Sequence, residues 1–383
     1  QIMTTEKPPT MLDYVHESPE ALECALTNHE TLCGPLVARY VAESSDGTST
    51  GNVVLVACGS SRNAAECAAP LMRRALGARV TVSTPGTCLV SETFPVRGTF
   101  HLVVTQSGCS TNALAVLDRL RGTGAPALAL TANPEAEVHS HADAVFDFGC
   151  GEEQVGYVTK GVVTLAQYLM LFALDAAVAT GRMGNGERDA TLAQMRLVPE
   201  AHRALQASAD EFYRTHRRDL LGMGPCYVLG FDQAWGVALE GALKLGETVK
   251  VPAFAYEAEE FNHGPNLQMT PAYTVFLVDD LARGHERMVA LYRACRHVTD
   301  HAFLLTATAT DGAAGTDGNV FPLPEERPAD PLLLPLYLLP FFQIITYRAT
   351  EEKGSWDELP LVAETEDLVP SKTNDILRFM PYL

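Results

Sequence analysis

An internal repeat constrains this chain more than any single residue does. The β-branched run Val53-Val-Leu-Val-Ala-Cys-Gly59 leads into a helix-like stretch from Ala64 to Leu76, and Cys226-Tyr-Val-Leu-Gly230 leads into another from Trp235 to Glu247. His101-Leu-Val-Val-Thr105 is matched by Thr274-Val-Phe-Leu-Val278, and Ala125-Pro-Ala-Leu-Ala-Leu-Thr131 by His301-Ala-Phe-Leu-Leu-Thr306. The matched positions Gly59 and Gly230, Val104 and Val278, and Thr131 and Thr306 lie 171, 174 and 175 residues apart. Three strand–helix units repeated in one order at a nearly constant offset predict a duplicated α/β domain. Short, continuously apolar strands alternating with longer helices predict parallel sheets flanked by helices on both faces, doubly wound and flavodoxin-like. A helical stretch from about Val158 to Ala209, broken near Gly181 to Gly186, is expected to connect the copies. The apolar run from Leu332 to Phe342, interrupted by Pro335 and Pro340, reads as a buried helix.

Lys and Arg supply 28 residues and Asp and Glu 47, for a net charge of −19. That excess argues against a nucleic-acid partner, because a phosphate backbone is held by clustered cations. It leaves room for one small phosphate held by neutral donors. No run approaches the roughly 18 to 20 consecutive apolar residues of a membrane span, and the first residues show no apolar signal region, so no membrane partner is expected. The nine cysteines are scattered, with no CxxC pair. Cys58, Cys67 and Cys226 sit in strand-like or small-residue contexts, where a buried thiol behaves as a small hydrophobe. A cytoplasmic location fits that usage.

In parallel α/β sheets, ligands bind beyond the carboxyl ends of the strands, where helix N-termini present backbone N–H groups. Two loops stand out there: Cys58-Gly59-Ser60-Ser61-Arg62-Asn63 and Thr105-Gln106-Ser107-Gly108-Cys109-Ser110-Thr111-Asn112. Each combines glycine with hydroxyls and an amide, a donor set suited to phosphate. Ordinary helix capping by Ser and Thr is the plainer account of either loop alone. No phosphate-binding lysine loop or dinucleotide glycine motif is present, so a nucleotide ligand has little support.

These loops, together with Ala238-Leu-Glu-Gly-Ala-Leu-Lys-Leu-Gly-Glu247 and His263-Gly-Pro265, carry a resemblance. The chain resembles tandem sugar-isomerase (SIS) domain proteins: the isomerase half of glutamine–fructose-6-phosphate transaminase (glucosamine-6-phosphate synthase), and the fructosamine-phosphate deglycases. The resemblance implies an N-terminal tail and helix over 1–30, a first SIS domain over 31–195, a second over 196–350 and a C-terminal tail over 351–383. It implies that Ser60, Ser61, Thr105, Gln106, Ser107 and Ser110 grip a sugar phosphate, with Gly59, Glu153 and Thr159 also at the substrate. Lys244, Glu247 and His263 match the catalytic group. In the family a glutamate moves a proton between sugar carbons 1 and 2, and a histidine, often from the partner subunit, helps open the ring. A homodimer with a composite site is therefore implied, with a sugar phosphate as ligand and neither metal nor cofactor. The residues agree with this: a carboxylate and a histidine suit removal of a carbon-bound proton beside a carbonyl, and Lys244 and Glu247, three apart, share a helix face.

Departures from the synthase pattern narrow the expected activity. No glutaminase domain is expected before the SIS pair, so no built-in ammonia source is expected either. The closing segment Val369-Pro-Ser-Lys372-Thr-Asn374 matches the synthase's lysine-bearing tail poorly, and Lys372 is not counted as a site residue. The segment Glu259-Glu-Phe-Asn-His263-Gly-Pro-Asn266 is nearer the deglycase branch. The leading expectation is cleavage of a fructosamine 6-phosphate to glucose 6-phosphate and a free amine. The alternatives are a glucosamine-6-phosphate deaminase or isomerase, and a sensor that binds sugar phosphate without chemistry. The acidic loop containing Glu257, Glu259 and Glu260 is expected to favour a cationic amine.

Overall fold

The computed structural model describes residues 8–45, 51–307, 318–357 and 362–372. Its first sheet contains β1 (Asn52–Val56), β2 (Arg79–Ser83), β3 (Phe100–Val104), β4 (Leu128–Thr131) and β5 (Ala144–Asp147), all parallel, in the order β2-β1-β3-β4-β5. The second contains β6 (Cys226–Gly230), β7 (Ala253–Glu257), β8 (Thr274–Val278), β9 (Ala302–Thr306) and β10 (Val320–Pro322), also parallel. Taken from its β7 edge the second sheet runs β7-β6-β8-β9-β10, the same order as the first. The repeat is thus one of topology as well as pattern. The central strands β3, β4, β6, β8 and β9 are buried along their whole length, as expected for parallel strands covered on both faces.

The stretch between the copies is helical, as expected, with helices at Lys160–Ala179, Asn185–Met195 and Val198–Thr215 and a break carrying Gly181 at φ 73°. One correction concerns its first helix. Lys160–Ala179 and the segment Pro331–Lys353 are each long and apolar enough to cross a membrane by length and composition, although polar residues interrupt both. In each, 89% of the apolar window lies inside the protein. Lys160–Ala179 packs against the helices Met11–Thr27, His29–Ser45 and Gly59–Leu76, so it is core rather than linker.

The copies meet through the helices Gly59–Leu76 and Trp235–Lys244, each following the first strand of its sheet. Their backbones touch: a Cβ built on Gly236 would lie 2.5 Å from the Cys67 amide nitrogen. On its far side the second helix is equally tight, since a Cβ on Gly241 would lie 2.8 Å from the Phe342 ring. Cys67 and Cys226 are buried as expected, but Cys58 is exposed, because it stands at the end of β1 where the chain turns toward solvent. Substituting Gly236 by Ala should lower stability by about 1–3 kcal/mol through overpacking against backbone; an unchanged midpoint of denaturant unfolding would contradict this helix contact.

Candidate active site

A cavity of about 500 Å³ opens beyond the carboxyl ends of the first sheet's strands. Gly59, Ser60, Ser61, Thr105, Gln106, Ser107 and Ser110 all stand on its wall, so the structure brings the two loops together. Gly108, at φ 70°, makes the turn between them and the next helix; a Cβ there would lie 2.7 Å from the Cβ of Ala136. Ser110 is the N-cap residue of the helix Thr111–Gly122, yet its hydroxyl makes no capping bond. It accepts instead from Thr105 Oγ1 at 3.3 Å. The helix Gly59–Leu76 likewise begins without a side-chain cap. Hydroxyls at two helix N-termini are therefore not consumed by capping, and both termini favour an anion. Ser60 differs from the rest. Its hydroxyl is buried and donates to Glu240 Oε1 at 3.0 Å, which turns it toward the second copy.

Glu153 also reaches the cavity wall, but its carboxylate is already well occupied. It accepts from the backbone N–H groups of Lys160 at 2.7 Å and of Thr159 and Gly161 at 3.1 Å, and from Gln106 Nε2 at 2.6 Å. It thus caps the helix Lys160–Ala179 and fixes Gln106, which Gly161 makes room for: a Cβ there would lie 2.3 Å from the Gln106 amide nitrogen. Thr159, expected at the substrate, is fully buried and does not stand on the wall. Its N–H holds Glu153, its hydroxyl donates to the Tyr157 carbonyl and its own carbonyl accepts from Gln343, so it acts by support.

The second copy contributes Glu247. The helix Trp235–Lys244 loosens into a π-helical turn at Leu245–Val249, and Glu247 projects from that turn onto the cavity wall. Its side chain is 27% exposed, whereas that of Lys244 is fully enclosed. The Lys244 ammonium lies 3.0 Å from Glu240 Oε1 and 3.4 Å from Ser60 Oγ, and it pairs with Glu247 Oε1. Burial pushes the Glu247 carboxyl above the ordinary glutamate value; the Lys244 charge opposes this without cancelling it. Burial disfavours the Lys244 ammonium, but Glu240 and Glu247 outweigh it and hold its proton more tightly than usual. Lys244 is therefore walled off from the cavity, a correction to its expected place among groups that touch substrate.

His263 is not brought to this cavity. It ends a short 3-10 turn after β7 and is exposed. Glu257, Glu259 and Glu260 do not line the cavity either, because they lie at and just beyond the carboxyl end of β7 in the second sheet, where Glu259 pairs with Arg287 and Glu257 takes two N–H groups of the following loop. Lys372, set aside on sequence grounds, does stand on the wall. The carbonyls of Ser371 and Pro370 accept from the Thr111 N–H at 3.0 Å and the Thr111 hydroxyl at 3.5 Å, docking the tail on the helix that follows the phosphate-type loop. Replacing Lys244 by Met should cost about 3–5 kcal/mol of stability, because it leaves the buried Glu240 and the half-buried Glu247 without their cation. A variant as stable as the parent in denaturant unfolding would show that the pair is not held ionised.

No protein-family model matches the chain. It is 26% identical over 347 residues to a glutamine–fructose-6-phosphate aminotransferase (isomerizing) of Symbiobacterium thermophilum, an alignment covering 90% of this chain and 56% of that protein. The chain thus spans about half the length of the curated relatives it matches. Among solved structures, a proposed phosphosugar isomerase from Clostridium difficile 630 superposes with a TM-score of 0.83 at 20% identity, covering 95% of this chain and 99% of that one. The C-terminal domain of glucosamine-fructose-6-phosphate aminotransferase from Francisella tularensis gives 0.75 at 17%, covering 92% and 98%. A glucosamine-6-phosphate deaminase from Thermotoga maritima gives 0.68 at 20%, covering 91% and 96%. The chain is a tandem SIS-fold protein, two parallel five-stranded α/β units in succession, similar to the isomerase part of the glutamine–fructose-6-phosphate aminotransferases.

Proposed function

We propose that this chain moves a proton between carbons 1 and 2 of an amine-bearing hexose 6-phosphate, with Glu247 as the base. The observation that carries this reading is a carboxylate of raised proton affinity on the wall of a hydroxyl-lined cavity that two helix N-termini face. A carboxylate whose proton affinity burial raises above the ordinary glutamate value is a better match for a weakly acidic carbon-bound proton. Ser61, Ser107, Ser110 and the N-terminus of the helix Thr111–Gly122 would hold the phosphate, with Gln106 fixed for the sugar by Glu153. Lys372 adds a cationic side chain at the same wall, which suits a phosphate dianion.

The leading reaction is cleavage of a fructosamine 6-phosphate. With the ring open, Glu247 takes the proton from carbon 1 and returns it to carbon 2, while the oxygen on carbon 2 gains a proton and the nitrogen gives one up, turning the ketoamine into an imine. Water adds to the imine carbon and the amine leaves, giving glucose 6-phosphate. Lys244 keeps Glu247 in place and does not touch the sugar. His263, exposed and away from its own cavity, would assist ring opening in a second copy, so the active form would be a homodimer. The likeness to a structure named as a glucosamine-6-phosphate deaminase favours a second reading, in which the same shuttle releases ammonia.

A coupled assay separates the two. Glucose 6-phosphate released from a fructosamine 6-phosphate panel without ammonia supports the first, and ammonia from glucosamine 6-phosphate the second. Silence on all of them with measurable sugar-phosphate binding would leave a sensor. Glu247→Gln should lower kcat by at least about 100-fold with KM little changed. The acid limb of the parent's kcat profile should lie above the ordinary glutamate range, because burial raises this carboxyl and the base must be ionised to act. A limb at the ordinary value would count against Glu247. Lys372→Ala should raise KM for the sugar phosphate about tenfold, as the loss of one charged hydrogen bond does, and an unchanged KM would remove the tail lysine from the site.

A further inference from the structure

The helices Gly59–Leu76 and Trp235–Lys244 run antiparallel across the junction of the two copies, Cys67 against Gly236 and Ser60 against Lys244. One face of the first reads Ser60, Asn63, Cys67, and one face of the second reads Gly236, Glu240, Lys244, each at helical spacing. Between them lies Glu240, fully buried. Its Oε1 accepts from Ser60 Oγ and from Lys244 Nζ, both at 3.0 Å, and its Oε2 accepts from Asn63 Nδ2 at 2.8 Å. Asn63 is itself buried and does not stand on the cavity wall, so it cannot touch a ligand there.

We propose that Asn63 is a positioning residue for the proton transfer: by holding Glu240 it keeps the Lys244 ammonium shared between Glu240 and Glu247, and so fixes Glu247 at the substrate. This rests on the reading of Glu247 as the base. A buried carboxylate oxygen that loses a donor must find another or bear the cost of going without. Lys244 is the nearest cation, and without Asn63 it is drawn further onto Glu240. Glu247 then loses part of its counter-ion while remaining half-buried. Among the described residues, the charged and titratable groups around Glu247 are Lys244 and Glu240 on its own side and, around the cavity, Tyr157, Glu152, Glu153, Lys372 and the thiols Cys58 and Cys109; among them only Lys244 pairs with both Glu240 and Glu247.

The test is a carboxyl titration of the full chain labelled with carbon-13 on glutamate, read by NMR, with the Glu247 signal assigned by its absence in Glu247→Gln. Asn63→Ala should move the Glu247 midpoint to higher pH. Asn63→Ser, which keeps a shorter donor, should fall between the alanine variant and the parent, and it serves alone if the alanine variant does not fold. In turnover the alanine variant should lose about tenfold in kcat with KM within about twofold, the acid limb moving with the titration. An unchanged Glu247 midpoint in a folded Asn63 variant overturns the proposal. A parent that turns over no sugar phosphate overturns the reading of Glu247 as base, while the titration still decides whether Asn63 governs that carboxyl.

Discussion

The buried Lys244 ammonium, held between Glu240 and Glu247, is the interaction on which the site depends. An ammonium removed from water is tolerable only when its neighbours supply charge and geometry together. Here those neighbours come from both copies: Ser60 and Asn63 reach across from the first to hold Glu240. That reach needs two helices in backbone contact, which Gly236 permits. The same polar chain therefore joins the two halves and delivers one carboxylate to the cavity. On the proposed reading, a base on one half and a phosphate cradle on the other act together only while this junction is intact.

The repeated topology places two switch-point loops, and they differ in character. After β3 the chain places hydroxyls, an amide and a glycine around open space. After β8, in the matching position, Asp279 accepts from the Leu281 N–H at 3.1 Å, and Asp280 accepts from those of Ala282 at 3.3 Å and Gly284 at 2.9 Å. Asp279 is further tied to His285 and Thr306. Backbone donors that would meet an anion are there satisfied by the chain's own carboxylates. The net charge of −19 is thus no obstacle to phosphate at the first loop, where neutral donors face the cavity, and it adds to the closure of the second.

Much of this was legible from residues alone, for reasons that differ by element. β1, β3 and β4 and their counterparts β6, β8 and β9 announce themselves because central parallel strands are apolar throughout. The edge strands β2, β5 and β7 are partly exposed and β10 is short, so none carries a pattern that stands out from loop. The two hydroxyl loops could be read because donor chemistry at a strand end is local information. Asn63 could not, although it sits in one of those loops: that its amide points to Glu240, and not to a ligand, follows only from how the two helices cross. Spacing placed Lys244 and Glu247 on one face but could not say that the first is enclosed and the second reaches the cavity. Lys372 was named but set aside because its segment matches the synthase tail poorly; its place on the wall is set by two carbonyls resting on Thr111, which a tail without periodicity does not announce.

The central claim is that Glu247 carries a proton between neighbouring sugar carbons, and its most direct test needs no assumption about the leaving group. Fructosamine 6-phosphates and glucosamine 6-phosphate would be prepared with deuterium on the carbon that must give up its proton, and the label followed by NMR with parent and Glu247→Gln protein. The account predicts that the parent strips the label from that carbon of its substrate and that the variant leaves it in place. A parent that binds the sugar phosphate yet keeps the label, or a variant that removes it as fast as the parent, would contradict it.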